Sequence, residues 1–105
     1  MADTALHDLT LAEAATLIRT RKLSPVEYTQ ALLARTDAFE PQLNAYITRT
    51  SEAAMEAASA AETEIARGNW RGPLHGVPFA VKDIYNTAGV LTSGHSRICI
   101  DRVPG

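Results

Sequence analysis

The sequence predicts an α/β fold in which helices come first and short strands follow, within an incomplete domain. Three observations carry this. Residues 1–70 hold three successive helical patterns, each with its own start signal. Gly72, Pro73, Gly76 and Pro78 then crowd into a few positions, too many breakers for a helix. Residues 77–81 form a short continuous apolar run, the pattern of a strand buried on both faces. Such a strand needs neighbouring strands and helices on either side, more than 105 residues of this pattern supply.

Each element has a local reason. Thr10 followed by Glu13 is a capping box, and Leu11, Ala14, Ala15 and Ile18 fall on one helical face. That helix is expected to end near Arg21 and Lys22, where cations suit the negative helix end. Ser24-Pro25-Val26-Glu27 starts a second helix: Ser caps, Pro takes the first turn with φ already set, and Glu reaches back. Tyr28, Ala31, Leu32, Ala38 and Phe39 make its apolar face, and Pro41 is expected to end it. Residues 44–48 read as a short strand. Thr50 and Ser51 cap a third helix from about Glu52 to Arg67, with Ala54, Ala58, Ala61 and Ile65 as its buried line. Glu52, Glu56, Ser59 and Thr63 form its wet line, and Gly68 sits where a C′ glycine belongs. Beyond the strand at 77–81, residues 86–89 are turn chemistry, and 90–93 and 97–100 read as further extended segments.

Composition narrows the function classes. With 46% hydrophobic and 21% charged residues, the chain is an ordinary folding sequence and not a disordered one. Ten Lys and Arg against twelve acids give a net charge of −2, so no direct nucleic-acid binding is expected. The single cysteine, Cys99, cannot form an internal disulfide, which points to a reducing, cytoplasmic setting. The N-terminus lacks a basic stretch followed by an apolar one, and no apolar run is long enough to span a bilayer. No membrane role is expected.

Lys82 is the position richest in chemistry. A lysine at the end of an apolar strand is expected to be partly desolvated, and burial favours the neutral amine that a general base must be. Its plainer reading is a cation snorkelling from a strand end. Asp83 would point to the opposite face of a strand, making it a turn or cap residue and a poor partner for Lys82. His95, Cys99 and Asp101 lack the second pair that a metal site requires, and Cys99 reads as a small buried hydrophobe. His7 and His75 have no partners at ligand spacing, and no phosphate-binding glycine motif is present.

The words around Lys82 add to this. Residues 72–83, Gly-Pro-Leu-His-Gly-Val-Pro-Phe-Ala-Val-Lys-Asp, resemble the catalytic-lysine segment of the amidase signature family. Thr87-Ala88-Gly89, Thr92-Ser93, Ser96 and Val103-Pro104 fit the same pattern downstream. Ser24-Pro25-Val26-Glu27, residues 43–47 and the alanine-rich helix fit it upstream, so the resemblance runs from about Leu9 to the end. His95 departs from it, since the family often carries small residues there.

The resemblance implies that residues 1–105 are the N-terminal part of a single amidase-signature domain: 1–70 helical, 71–105 the strand and loop segment bearing the lysine. It implies a mixed sheet flanked by helices and hydrolysis of a carboxylic amide through a Ser-cisSer-Lys triad. Of that triad only the lysine carries over, as Lys82; the two serines belong to a later Gly- and Ser-rich segment, and Ser93 and Ser96 are not they. No metal or organic cofactor is implied. The expected partner is a small-molecule amide, with a homo-oligomer or partner subunits as further options. One branch of the family, the A subunit of glutamyl-tRNA amidotransferase, works within a multisubunit complex, and this is the alternative function, beside an inactive truncated remnant. The 105 residues alone are expected to be inactive.

Overall fold

The computed structural model describes residues 5–105, and the regular structure in it is helical. A 3₁₀ turn at Leu6–Asp8 precedes α1 (Leu11–Arg19), α2 (Pro25–Leu43) and α3 (Ser51–Ala66). No strand forms among the described residues, which corrects the α/β expectation. The reason lies in the pairing a strand requires. An extended segment becomes a strand only when another offers it a ladder of N–H and C=O groups. Residues 77–81 meet no such ladder, and Phe79 is 87% exposed where a doubly buried strand was expected. Residues 44–48 fail differently: Asn44 takes a left-handed φ of 48°, and Tyr46 and Ile47 stay in solvent. Residues 97–100 lie in turns.

The described chain divides into two compact units, the first holding the residues up to Leu43 together with Thr50–Pro78. Its helices start and stop as their caps dictate. At α1, Thr10 Oγ1 accepts the Glu13 N–H (3.1 Å) and Glu13 Oε1 accepts the Thr10 N–H (3.3 Å), the complete capping box. At its other end the Lys22 N–H reaches the Leu17 carbonyl (2.8 Å) and the Arg21 N–H that of Ile18 (3.1 Å). This is a Schellman closure with Arg21 at the left-handed position, φ 61°. The same closure ends α3 with Gly68 at that position, φ 88°, as the sequence implied. Helix α2 begins at Pro25 but runs through Pro41 to Leu43. Proline removes one N–H, and because Pro41 stands in the last turn the helix still closes two residues later.

The core of this unit is small. Leu9, Ala14, Ile18, Leu23, Tyr28 and Ile65 form its buried cluster, with Leu6, Leu17, Leu32 and Val77 packed against it. Ala58, Ala61 and Ile65 are the buried line of α3, and Ala54 is half-buried. Alanines let α3 lie close to α2 while burying little apolar area each. Burial pushes the Tyr28 phenol up from its ordinary value. Phe39, expected on the apolar face of α2, is 39% exposed and carries the Arg35 guanidinium over its ring at 4.3 Å.

The second unit comprises Asn44–Arg49 and Phe79–Gly105. It is built of turns. Two bonds, Gly89 N–H to the Pro104 carbonyl (2.8 Å) and Thr92 N–H to that of Arg102 (2.9 Å), hold two segments alongside in opposite directions. No helix among the described residues is long and apolar enough to cross a membrane.

Candidate active site

Lys82 lies in the second unit, on the wall of a cleft of about 420 Å³ that Thr48, Tyr85, Thr92 and His95 also line. Its carbonyl accepts the Tyr85 N–H (3.1 Å), which closes a turn directly after it. The side chain is exposed, so the desolvated strand-end position expected for it is not what these residues build. Val81 and Ile84, its apolar neighbours, are more than half exposed. The Thr48 hydroxyl oxygen is buried and has no hydrogen-bond partner among the described residues.

Asp83 is the organiser of this wall. Ser93 Oγ donates to Asp83 Oδ2 (2.6 Å), and the Ser93 N–H donates to Oδ1 (3.1 Å). The His95 N–H also points at Oδ2 (3.3 Å), and the Gly94 N–H donates to the Asp83 carbonyl (2.9 Å). The Ser93 hydroxyl, with these amides behind it, holds the Asp83 carboxyl below its usual range, against a smaller opposing effect of desolvation. Opposite Asp83 the chain reverses in a tight turn closed by Ser96 N–H to the Ser93 carbonyl (3.0 Å). Both central residues are left-handed, Gly94 at φ 58° and His95 at 60°. Glycine meets that demand freely; histidine does so under strain. The expectation that Asp83 is a turn residue and not a partner of Lys82 describes its observed bonds, although the strand behind that argument is absent.

Sequence reasoning missed two groups. Ser93 is buried and holds two loops together, a role that no local pattern announces. His75, in the first unit, is buried as well. Its Nδ1 accepts the Arg71 N–H (3.0 Å), so the proton sits on Nε2, which lies 3.6 Å from Glu64 Oε2 without reaching a hydrogen bond. Arg71 Nε meets the same Glu64 oxygen at 3.1 Å. The glycine and proline on either side of Leu74-His75 were the available signal, since they force the turn that folds the imidazole inward. Cys99 is half-buried and free, and no group of three potential metal ligands occurs among the described residues.

The amidase family model matches residues 27–105. The A subunit of a glutamyl-tRNA(Gln) amidotransferase from Geobacter metallireducens is 46% identical over 99 residues, covering 94% of this chain and 20% of that protein. A putative amidase, AmiD, from Mycobacterium tuberculosis is 43% identical over 100 residues, 95% of this chain and 21% of its own length. An amidase from Pseudomonas putida is 45% identical over 92 residues, 88% and 20% respectively. The chain thus spans about a fifth of the length of the curated relatives it matches. No solved structure matches it significantly. With three quarters of its residues under the family match and relatives above 40% identity, the chain belongs to the amidase signature family.

Proposed function

We propose that Lys82 is the general base of an amide-cleaving site, and that residues 1–105 are the N-terminal part of one amidase domain. One observation carries the reading: Lys82 lies within the residues the family model matches, in the segment that resembles the family's catalytic-lysine region, and lines the cleft of its own unit. In the chemistry the family resemblance implies, neutral lysine draws a proton through a bridging serine, and a second serine attacks the amide carbonyl. Ammonia or an amine leaves, and water releases the acyl group, while backbone N–H groups hold the oxyanion. This chain supplies the lysine only. Ser93 and Ser96 have other work: Ser93 Oγ donates to Asp83, and Ser96 Oγ accepts the Ile98 N–H (3.3 Å).

A chimera tests this. Residues 1–105 replace the matching segment of the Pseudomonas putida amidase, and ammonia release from a simple amide is measured. The expected result is turnover by the chimera, none by the 105 residues alone, and a loss of at least about a hundredfold on Lys82→Ala. A chimera that keeps its turnover after Lys82→Ala overturns the assignment.

A second reading has its own observation, the 46% identity to the A subunit of an amidotransferase. On that reading the chain serves in a multisubunit assembly. Co-purification of the tagged native protein with further subunits is the expected result, and a lone polypeptide with full hydrolytic turnover counts against it.

A further inference from the structure

We infer that Asp83 is the positioning residue for Lys82, acting through the Ser93–His95 loop; the inference rests on the reading of Lys82 as the base. Lys82 and Asp83 share one planar peptide unit, so with Asp83 held the root of the lysine side chain keeps only the rotation about the Asp83 φ, which the Tyr85 bond to the Lys82 carbonyl restrains. Asp83 is fixed from both its side chain and its backbone. Its carboxylate receives the Ser93 hydroxyl and the Ser93 and His95 amides, and its carbonyl receives the Gly94 amide. A third side of the clamp is closed by the His95 N–H, which also meets Ser93 Oγ at 3.1 Å.

The chemistry needs such a device. A proton acceptor must be held to within about half an ångström of its working place, and here no regular element does this. Lysine is a flexible side chain on an exposed turn, closed by a single bond from Tyr85 to the Lys82 carbonyl. Hydrogen bonds to an ionised carboxylate are the strong ones, and this carboxylate collects three. With its oxygens taken up by Ser93 and His95, Asp83 orders the turn without being spent as a counter-ion to the neighbouring ammonium. No carboxylate among the described residues pairs with Lys82. An acid placed next to a base in sequence is thereby turned to scaffolding, leaving the amine free for a substrate proton.

The test is residue-resolved hydrogen exchange on the 105-residue chain at micromolar concentration, with Asp83→Ala, Asp83→Asn, Ser93→Ala and Ser93→Thr. The Tyr85 amide is the decisive probe, because it bonds to Lys82 and not to Asp83. Asp83→Ala is expected to speed exchange at least tenfold at Ser93, His95 and Tyr85 alike, with the helices unchanged. Asp83→Asn, which keeps an acceptor, restores part of the protection, and Ser93→Thr restores what Ser93→Ala loses. Exchange that rises at Ser93 and His95 while Tyr85 stays protected overturns the inference, since the clamp then holds a loop and not the lysine. So does an asparagine variant no better than alanine. This readout needs no turnover, so a failed chimera would count against the base assignment and leave the clamp result standing.

Discussion

Ser24 Oγ donates to Glu62 Oε1 at 2.5 Å while accepting the Val26 N–H (3.1 Å) and the Glu27 N–H (3.3 Å). One hydroxyl therefore caps α2 and ties it to α3. The sequence pattern has Glu27 reach back to the cap; in the structure a carboxylate 38 residues away, that of Glu62, accepts the Ser24 hydroxyl itself. Ser24→Ala removes both functions and is expected to cost about 1–2 kcal/mol, the upper part of the range for a lost cap. Glu62→Gln keeps an acceptor for the hydroxyl and should cost less than half as much. Urea titrations read through the helical circular dichroism check both, and a Ser24→Ala cost within error of zero would show the tie to be incidental.

Among the described residues three non-glycines hold left-handed backbone: Asn44 after α2 and, at chain reversals, Arg21 at the end of α1 and His95 opposite Asp83. A side chain in that conformation costs roughly 1–2 kcal/mol, which glycine does not incur. Arg21→Gly is expected to raise stability by about 1 kcal/mol, part of the gain being offset by the freer unfolded chain. His95→Gly should protect the Ser93 and Ser96 amides further without shifting the helical melt. Thermal and hydrogen-exchange measurements on the two variants separate these effects.

These cases show how far the sequence carries. Caps and stop signals depend on a few adjacent residues, so the Thr10–Glu13 box, Pro25 in the first turn of α2 and Gly68 after α3 were all legible. The buried alanine line of α3 was legible for the same reason, since 3.6-residue spacing is local. The strands were not, because an apolar run says a segment can be buried and nothing about whether a pairing partner exists. Around the candidate site, the family resemblance of the segment bearing Lys82 was legible from adjacent residues. Ser93 was not, since its ten-residue separation from Asp83 is bridged by a loop whose path no period encodes.

The Asp83 clamp is expected to fail in acid. Its hydrogen bonds to Ser93 and His95 hold the folded carboxyl below its unfolded value. A depressed carboxyl contributes stability that is fully present above the unfolded value and is lost as pH falls through the folded one. Exchange at Ser93 and His95, corrected for intrinsic rates, should therefore be flat at neutral pH and rise once pH drops below the ordinary carboxylate range. Asp83→Asn should abolish that rise. A wild-type profile that stays flat down to the acid unfolding of the helices would contradict the clamp's dependence on charge.

Phe79 at 87% exposure and Ile98 at 95% leave large apolar side chains in water in the second unit. Surfaces of this kind drive association when they are contiguous. The 105-residue chain is expected to sediment with an average mass that rises with concentration. Replacing both residues by lysine should reduce that rise. A sharp, concentration-independent melt of a monomer would show that these side chains are tolerated in isolation.

Lys82→Arg separates two roles that Lys82→Ala confounds. A base must shed its proton before it can accept one, and an ordinary lysine, titrating near 10.4, is neutral in roughly one molecule in two thousand at pH 7. Arginine keeps the positive charge and much of the length but is not deprotonated in proteins. If the amine at position 82 only supplied charge, arginine would serve. If it takes a proton, both Lys82→Arg and Lys82→Ala should lower turnover of the chimera by at least about a hundredfold. Lys82 is exposed within these residues, so the burial that favours a neutral amine has to come from the rest of the chimera. Folding should survive both changes, because an exposed lysine on a turn contributes little packing. Asp83→Asn, which keeps the turn's acceptor, should cost less turnover than either. Near-normal turnover by Lys82→Arg would leave the lysine as a cation on a loop and remove it from the chemistry.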